Sequence, residues 1–412
     1  MNASAPSRRE AFRFWLKLGF ISFGGPAGQI AIMHREVVLR RGWLDDRAFM
    51  HALNFCMLLP GPEALQLAIW LGWRLHGVAG GIVAGLCFIV PAILLLLGLS
   101  FLYALHGEVP AVAAALMGLQ ATVIALIAQA LLRLARRALT EPLHWLLAIA
   151  ALVLMVGRLL PFPLLLAGAA LAGLLMSRGR NARASAAPVA PAAFPWQSLA
   201  AGFALWALPV VAILALAGAD SLYADIYRFF TTAALVTFGG AYAVLAWVTQ
   251  QAVEVHGWLT QAEAVAGLAL AETTPGPLII VLQFVGFMAG WNDAAGADAA
   301  GTATTVALLT SWATFLPSFI FILVGAPYVE RLASNARLSG ALAGITAAVV
   351  GVIGSLALVF GRGVLFPAGF AAPEWGAIAI AAAALVLLEW TRVDVLWVIA
   401  GGAAAGLALG MA

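Results

Sequence analysis

Long apolar runs separated by short polar stretches set the pattern of this chain. Four of the clearest runs cover residues 82–103, 111–132, 199–217 and 338–360. A bilayer core about 30 Å thick needs roughly 20 apolar residues in each helix that crosses it, and these runs reach that length. A membrane barrel would instead show short alternating segments. The pattern therefore predicts an all-α polytopic integral membrane protein.

Counting the runs predicts how often the chain crosses the membrane. Seven crossings are expected between the starts of the two repeats, at residues 14–34, 48–75, 78–104, 111–132, 142–157, 160–177 and 198–218. Counting on to the carboxyl terminus by the same length criterion gives about 13 hydrophobic segments.

The two halves of the chain repeat the same motifs in the same order. The first half carries Arg13-Phe14, Phe23-Gly24-Gly25, Gly42-Trp43-Leu44 and Pro60-Gly61-Pro62. Each recurs 215 residues later, as Arg228-Phe229, Phe238-Gly239-Gly240, Gly257-Trp258-Leu259 and Pro275-Gly276-Pro277. Such a constant offset indicates duplication. We predict an amino-terminal transporter repeat at 1–177, a cytoplasmic linker at 178–196, and a carboxyl-terminal repeat at 197–412 whose equivalent core begins at 227.

The positions of the basic residues predict the orientation. Arginines beside the hydrophobic segments collect on the cytoplasmic side of a membrane, which places the amino terminus, the cluster at 133–137 and the linker inside. Seven crossings between the two repeats turn the second repeat upside down relative to the first. The halves are therefore expected to form inverted repeats of the kind that secondary transporters use.

One loop conflicts with simple crossing. Arg35, Arg40, Arg41 and Arg47 would lie outside if residues 14–34 crossed the membrane. The conflict disappears if the broken segments of each half dip into the membrane and return on the same side, since the later topology is unchanged. The sequence leaves both alternatives open.

Four glycine or proline breaks interrupt these apolar segments. Backbone groups freed inside a membrane need protein, water or ligand partners, and a half-helix that begins at such a break presents free amides and partial positive charge, which suits an anion. The predicted substrate-binding positions at the breaks are Gly24, Gly25, Pro60, Gly61, Pro62, Gly239, Gly240, Pro275, Gly276 and Pro277. The alternative is that each break is a kink that helps helices pack.

Ionisable and polar residues near the breaks complete the candidate site. Arg13 and Arg228 occupy equivalent positions and are expected to bind one anion together, unless each extends its charge to the membrane interface. Glu63 and Glu272 are proton-coupling candidates, unless they pair with a neighbouring arginine. The neutral groups expected to bind oxyanion oxygens are Asn54, Gln66, Thr273 and Thr274.

Composition excludes several other classes of protein. Hydrophobic residues make up 64% of the chain and charged residues 9%, whereas roughly a quarter of a soluble domain is charged. The net charge of +3 is spread over loops, so no nucleic-acid partner is expected. Cys56 and Cys87 lie in apolar segments and read as packing residues. No nucleophile with a spaced base and no metal-ligand spacing is found, so neither an enzyme, a metal site nor a cofactor is predicted.

The motifs at the breaks resemble those of the chromate ion transporter (CHR) family, in its long two-domain form. The resemblance lies in Phe23-Gly24-Gly25-Pro26 with Gly28-Gln29, in residues 54–72 around Pro60-Gly61-Pro62-Glu63, and in residues 271–278. It covers nearly the whole chain. The second half departs from the first at Ala241, where Pro26 stands, and at Leu278, where Glu63 stands, so the halves of any site differ.

That resemblance implies a bacterial inner-membrane protein that exports chromate from the cytoplasm and gives chromate resistance. The family's driving force is the membrane potential or a proton gradient. Sulfate, with the same charge and tetrahedral shape, is the alternative substrate, and an intramembrane enzyme is the alternative of a different class. A homodimer is one assembly that the sequence leaves open.

Overall fold

The structure is a computed structural model that describes residues 6–23, 25–177, 194–238, 240–294, 298–328, 336–391 and 393–410. Within these ranges the chain forms sixteen helices and no strand, which confirms the predicted all-helical class. The first-half helices are α1 (Arg8–Ile21), α2 (Gly25–His34, continued by a π-helical turn at Arg35–Arg40), α3 (Asp46–Leu58), α4 (Glu63–His106), α5 (Pro110–Ala138), α6 (Pro142–Val156) and α7 (Phe162–Met176).

Helix α8 (Trp196–Leu216) connects the halves. The second-half helices are α9 (Leu222–Leu235), α10 (Ala241–Gln250, continued by a π-helical turn at Gln251–Val255), α11 (Gln261–Glu272), α12 (Val281–Asp293, after a 3₁₀ turn at Leu278–Ile280), α13 (Ala299–Gly325), α14 (Ala336–Leu365), α15 (Trp375–Trp390) and α16 (Val395–Gly410). Even the π-helical turns after α2 and α10 recur at matching places in the two halves.

Helix α4 contains a sharp bend that divides it into two parts. His76 and Gly77 leave the helical conformation, so the chain forms α4a (63–75) and α4b (78–106). The corresponding part of the second half is two separate helices, α12 and α13. The first half therefore has one bent helix where the second half has two separate helices.

The first two broken segments fold back as helical hairpins. Arg41, just after α2, bonds to Glu10 at the start of α1 at 3.1 Å, and Trp43 packs on Phe14. His76, at the end of α4a, donates a hydrogen bond to the carbonyl of Pro6 at 2.9 Å. The open ends of the α1/α2 and α3/α4a hairpins therefore lie together. Of the two alternatives that the sequence leaves open, the structure fits the one in which residues 14–34 and 48–75 fold back rather than cross, because the contacts of Arg41 and His76 bring the ends of these segments together.

The second half builds the same two hairpins. Trp258, in the loop before α11, packs its ring 5.4 Å from that of Phe229 in α9, as Trp43 packs on Phe14. Asn292, at the end of α12, donates to the carbonyl of Trp258. The open ends of the α9/α10 and α11/α12 hairpins are thus also side by side.

The two pairs of hairpins open toward opposite ends of the molecule. Helix α4b starts next to the first-half hairpin ends and, with 29 residues, is about 43 Å long. Near its other end, Phe101 lies 6.3 Å from Trp291 and Tyr103 lies 5.4 Å from Phe284, both in α12. The hairpins of one half therefore point at those of the other.

Small residues hold the surrounding helices close together. A methyl group at Gly118 of α5 would lie 2.0 Å from the backbone of Gly402 in α16, and one at Gly173 of α7 would lie 2.2 Å from that of Gly340 in α14. Lipid tails are as apolar as the helices, so helices in a membrane associate through van der Waals packing. Small residues favour this packing because they let the backbones approach closely. These contacts join helices of different halves into one scaffold around the hairpins.

The scaffold has the exterior of a membrane protein. Five helices among the described residues are long and apolar enough to cross a membrane, and others are apolar but shorter. Large apolar side chains point outward on α8, including Phe203, Leu208 and Val211. An exposed apolar surface of this extent fits lipid rather than water.

Folded-back hairpins predict a specific labelling pattern. In a chain with Cys56 and Cys87 replaced by alanine, Arg9→Cys and Arg41→Cys should react with an impermeant maleimide from the same side of the membrane. His256→Cys should react from the other side. Reaction of positions 9 and 41 from opposite sides would show that residues 14–34 cross the membrane instead.

Candidate functional site

The tips of the four hairpins meet in two symmetrical pairs. The Gly61 amide donates to the Thr237 carbonyl at 2.7 Å, and the Gly276 amide donates to the Ser22 carbonyl at 2.8 Å. Since Gly61 and Gly276 are repeat equivalents, as are Ser22 and Thr237, the two bonds are one contact made twice. Each tip thus receives a backbone partner from the other half, which satisfies groups that the breaks leave free.

Glycine is required at the centre of each pair. Gly61 has φ of 123° and Gly276 has φ of 109°, a conformation that disfavours other residues. Space is also short, because a methyl group at Gly61 would lie 2.7 Å from the Ser318 hydroxyl and one at Gly276 would lie 2.8 Å from Ala92. Ala92 and Ser318 each follow a proline inside a long helix, and they are equivalent positions of α4b and α13.

Four helix starts at the open ends of the hairpins are capped by side chains, whereas three of the starts at the tips are not. Side chains that accept an amide hydrogen bond at the outer starts are Ser7, Asp45, Ser221 and Thr260. No side chain caps α4a at Pro62, α10 at Gly240 or the 3₁₀ turn at Pro277. Gly25 and Gly240 also face open space. These helix starts therefore have amide groups that no capping side chain engages.

Each tip also carries the end of a helix as well as a start. Helices α1, α3, α9 and α11 end at the breaks, so partial negative charge lies beside the partial positive charge of the helices that begin there. Two of the carbonyls just past these ends, those of Ser22 and Thr237, are engaged by the opposite half. The sequence predicted only the helix starts as binding groups. Groups that attract an anion and groups that attract a cation thus lie close together at each tip.

Two glutamines reinforce the tips from inside. Gln29 donates from Nε2 to the carbonyls of Gly276 at 2.6 Å and Ser22 at 3.1 Å, so one side chain bridges the two halves. Gln66 donates to the carbonyl of Pro60 at 2.7 Å. Both side chains are at most 1% exposed, and both Oε1 atoms lack a partner among the described residues. Buried acceptors of this kind indicate a place for water or a protonated ligand.

Gln29 is a site residue that the prediction left out. Its signal was present, since Gln29 belongs to the Gly28-Gln29 part of the motif that carries the family resemblance. Its repeat equivalent is Val244, which cannot donate, so the bridge exists at one pair of tips only.

The two carboxylates occupy different places at the tips. Glu272 is the last residue of α11 and accepts a hydrogen bond of 2.5 Å from the hydroxyl of Tyr242 at the start of α10. Glu63 is the first residue of α4a and is half-buried. The repeat equivalents of Tyr242 and Glu272 are Ala27 and Met57, which explains why the repeat pattern did not indicate Tyr242.

Other predicted residues are placed less centrally. The hydroxyls of Thr273 and Thr274 are already bonded to the Leu270 carbonyl. Asn54 is exposed on α3. Arg13 and Arg228 are exposed, about 13 Å along their helices from the tips, so the expectation that they bind one anion together does not fit this geometry. Helices that open to opposite ends hold the two charges apart.

Part of the prediction cannot be located. Gly24 and Gly239, together with residues 178–193 of the linker, lie outside the described residues.

Filling the glycine positions should weaken the tip contacts. Gly61→Ala and Gly276→Ala force a side chain into a conformation that costs about 1–3 kcal/mol, besides the steric overlap. We expect the midpoint of thermal unfolding in detergent to fall by several degrees in both variants. Gly98→Ala, in α4b with open space around it, is the control and should unfold like the wild type. Equal midpoints in all three variants would show that the tips are loosely packed.

Known proteins match the chain over both halves. The chromate transporter family matches residues 9–174 and 224–407. A chromate transport protein of Pseudomonas aeruginosa is 37% identical over 348 residues, covering 84% of this chain and 79% of that protein. A chromate transport protein of Cupriavidus metallidurans is 27% identical over 357 residues, covering 86% and 82%. No solved structure matches the chain. This chain is therefore a member of the chromate transporter family.

Proposed function

We propose that the protein exports chromate from the cytoplasm across the inner membrane of a bacterium. The observation that carries the proposal is the meeting of uncapped half-helices from two oppositely directed halves. Chromate is the substrate named for the similar proteins of Pseudomonas and Cupriavidus. Sulfate or another divalent oxyanion is the alternative on the same scaffold.

The hairpins fit a re-entrant arrangement in the membrane. With both hairpins of the first half returning to the side of the amino terminus, Arg35, Arg40 and Arg41 join Arg8 and Arg9 on one face. Arginine accumulates on the cytoplasmic side, so that face is the inner one. The second-half hairpins then enter from outside, and the tips meet near the middle of the bilayer.

The tips suit a doubly charged oxyanion. The start of α2 at Gly25 and the start of α10 at Gly240 both face open space, one in each half. Free amides there donate hydrogen bonds, and the helix dipole adds attraction that low dielectric strengthens. Neutral donors bind a divalent ion without the cost of burying a fixed positive charge.

Export is favourable on electrical grounds. A divalent anion that leaves a cell negative inside gains about 4.6 kcal/mol at 100 mV, which corresponds to roughly three decades of concentration. Import would cost the same amount and would need several co-transported cations. The membrane potential alone is therefore a sufficient driving force.

Glu63 and Glu272 offer a second coupling. Glu63 lies in the first turn of α4a, where an ionised carboxylate competes with a bound anion for the same helix start. Chromate binding at this tip then favours the protonated carboxyl. Glu272 accepts a hydrogen bond from the hydroxyl of Tyr242 at the start of α10, and both residues lie in the second half. At the tip that carries Glu63, the anion and the proton therefore bind together, so this coupling would carry them in the same direction.

The bridge made by Gln29 provides the sharpest test of the proposed site. Gln29→Met removes a buried amide at the tips, and we expect at least a tenfold loss of chromate uptake into everted membrane vesicles. Gln129→Met is the matched control, since Gln129 is also buried and also donates to a carbonyl of the other half, that of Leu388. Transport should survive in the control. Equal rates in the two variants, at equal protein levels, would refute the site.

Counterflow in proteoliposomes identifies the substrate. Vesicles loaded with chromate should take up labelled chromate faster than vesicles loaded with sulfate if chromate is preferred. The opposite order would make the protein a sulfate carrier on the same scaffold.

Proton coupling predicts a changed response to pH. With the membrane potential clamped, Glu63→Gln and Glu272→Gln should abolish the stimulation of chromate flux by an imposed pH gradient, because the neutral amide cannot release a proton. Glu10→Gln, a surface carboxylate paired with Arg41, should keep the stimulation. A wild-type response in both tip variants would show that the coupling to protons does not depend on these two carboxylates.

A further inference from the structure

Buried hydroxyls in these helices usually donate to a carbonyl of their own helix. Ser100 bonds to Leu96 and Thr122 bonds to Gly118 in this way. Three hydroxyls of α13 make no hydrogen bond among the described residues, namely those of Thr310, Thr314 and Ser318. These three residues are here called the hydroxyl face of α13.

The hydroxyl face forms a continuous line. Its members are four residues apart, which places them on one side of the helix over about 12 Å, and none is more than 3% exposed. Ser318 lies beside the tip, where its hydroxyl is 2.7 Å from the position of a methyl group at Gly61. Thr310 lies against Gly286 of α12, nearer the end where the second-half hairpins open. The line therefore leads from the tip toward that end.

The lack of partners extends to the tip itself. The Oε1 atom of Gln66 is buried and unpartnered, and its Nε2 atom lies 2.7 Å from the same point beside Gly61 as the Ser318 hydroxyl. A buried polar group without a partner costs free energy, and the cost is not relieved by lipid. Four such groups in one line indicate that water or a polar ligand occupies this line during the working cycle.

The other half has no such line. Ala92 of α4b lies next to Gly276 as Ser318 of α13 lies next to Gly61, so Ala92 is the first-half equivalent of Ser318. Counting back along α4b in the same steps of four residues gives Phe88 and Ala84 as the equivalents of Thr314 and Thr310. A phenylalanine that is fully buried stands where Thr314 stands. The duplicated scaffold therefore carries a polar line in one direction only, from the tips toward the face on which the second half opens.

We propose that the hydroxyl face of α13 lines the outward route, along which a hydrated tetrahedral oxyanion leaves the tips. Hydroxyls can donate to the anion and accept from its water, and they bind without a fixed charge. Several weak positions in sequence let an ion enter and still leave. This inference rests on the proposed export function, because it names the route of the same substrate.

Accessibility of α13 tests the route without relying on chromate. In a chain with Cys56 and Cys87 replaced by alanine, Thr314→Cys should react with a small anionic methanethiosulfonate from the outer side before any oxyanion is added. Phe88→Cys, its repeat equivalent, should stay at least tenfold slower, although removal of the phenyl ring leaves it more space. Equal rates at the two positions, or no reaction at Thr314→Cys, would overturn the proposal.

Ligand protection separates a wrong route from a wrong substrate. Slower labelling of Thr314→Cys in the presence of chromate supports both the route and the export function. Protection by sulfate with none by chromate supports the route and rejects chromate as the substrate. Labelling that neither ion slows would show that the route does not carry oxyanions.

Removal of single hydroxyls gives the second readout. Thr314→Val keeps the shape of the side chain, and we expect at least a tenfold loss of oxyanion flux with no fall in the thermal midpoint, because the lost hydroxyl has no partner to lose. Thr122→Val, whose hydroxyl is bonded in α5, should keep the flux and lower the midpoint. A parallel loss of flux and stability in Thr314→Val would mean that the hydroxyl is structural.

Discussion

Free backbone groups in the middle of an apolar protein are the constraint on which this fold depends. The breaks at the hairpin tips release amides and carbonyls where lipid offers no hydrogen bond. Backbone hydrogen bonds from Gly61 to Thr237 and from Gly276 to Ser22 satisfy some of these groups, and each bond joins the two halves. Everything that positions the site follows from this exchange, including the left-handed glycines and the close contacts with α4b and α13.

Symmetry builds the frame, and departures from symmetry supply the chemistry. The backbone bonds, the ring contacts of Trp43 and Trp258, and the π-helical turns all occur twice. The polar side-chain contacts at the tips occur only once. The hydrogen bond from Gln29 to Gly276 has no equivalent in the second half, and the Tyr242–Glu272 hydrogen bond has none in the first half. The two halves therefore present different side chains to the tips within one symmetrical frame.

Much of the architecture could be predicted from the sequence, because apolar length and a constant repeat offset depend on local pattern alone. The offset of 215 already paired Gly61 with Gly276, and the odd number of crossings between the repeats predicted that the halves would be inverted. Whether the segment after Arg13 crosses or turns back could not be read in the same way. That choice is decided by contacts between distant residues, such as Glu10 with Arg41 and Pro6 with His76. The arginines conflicted with crossing, which was the one local sign of the hairpins.

The mutual pairing of the tips also decides what a single half can do. Alone, it would keep its hairpins but leave the Gly61 amide and the Ser22 carbonyl facing nothing. Only a second half inserted upside down offers matching groups in the right place. Chains of half this length would therefore have to assemble head to head in opposite orientations, and fusing the halves through an odd number of crossings turns that meeting of separate molecules into a property of one polypeptide.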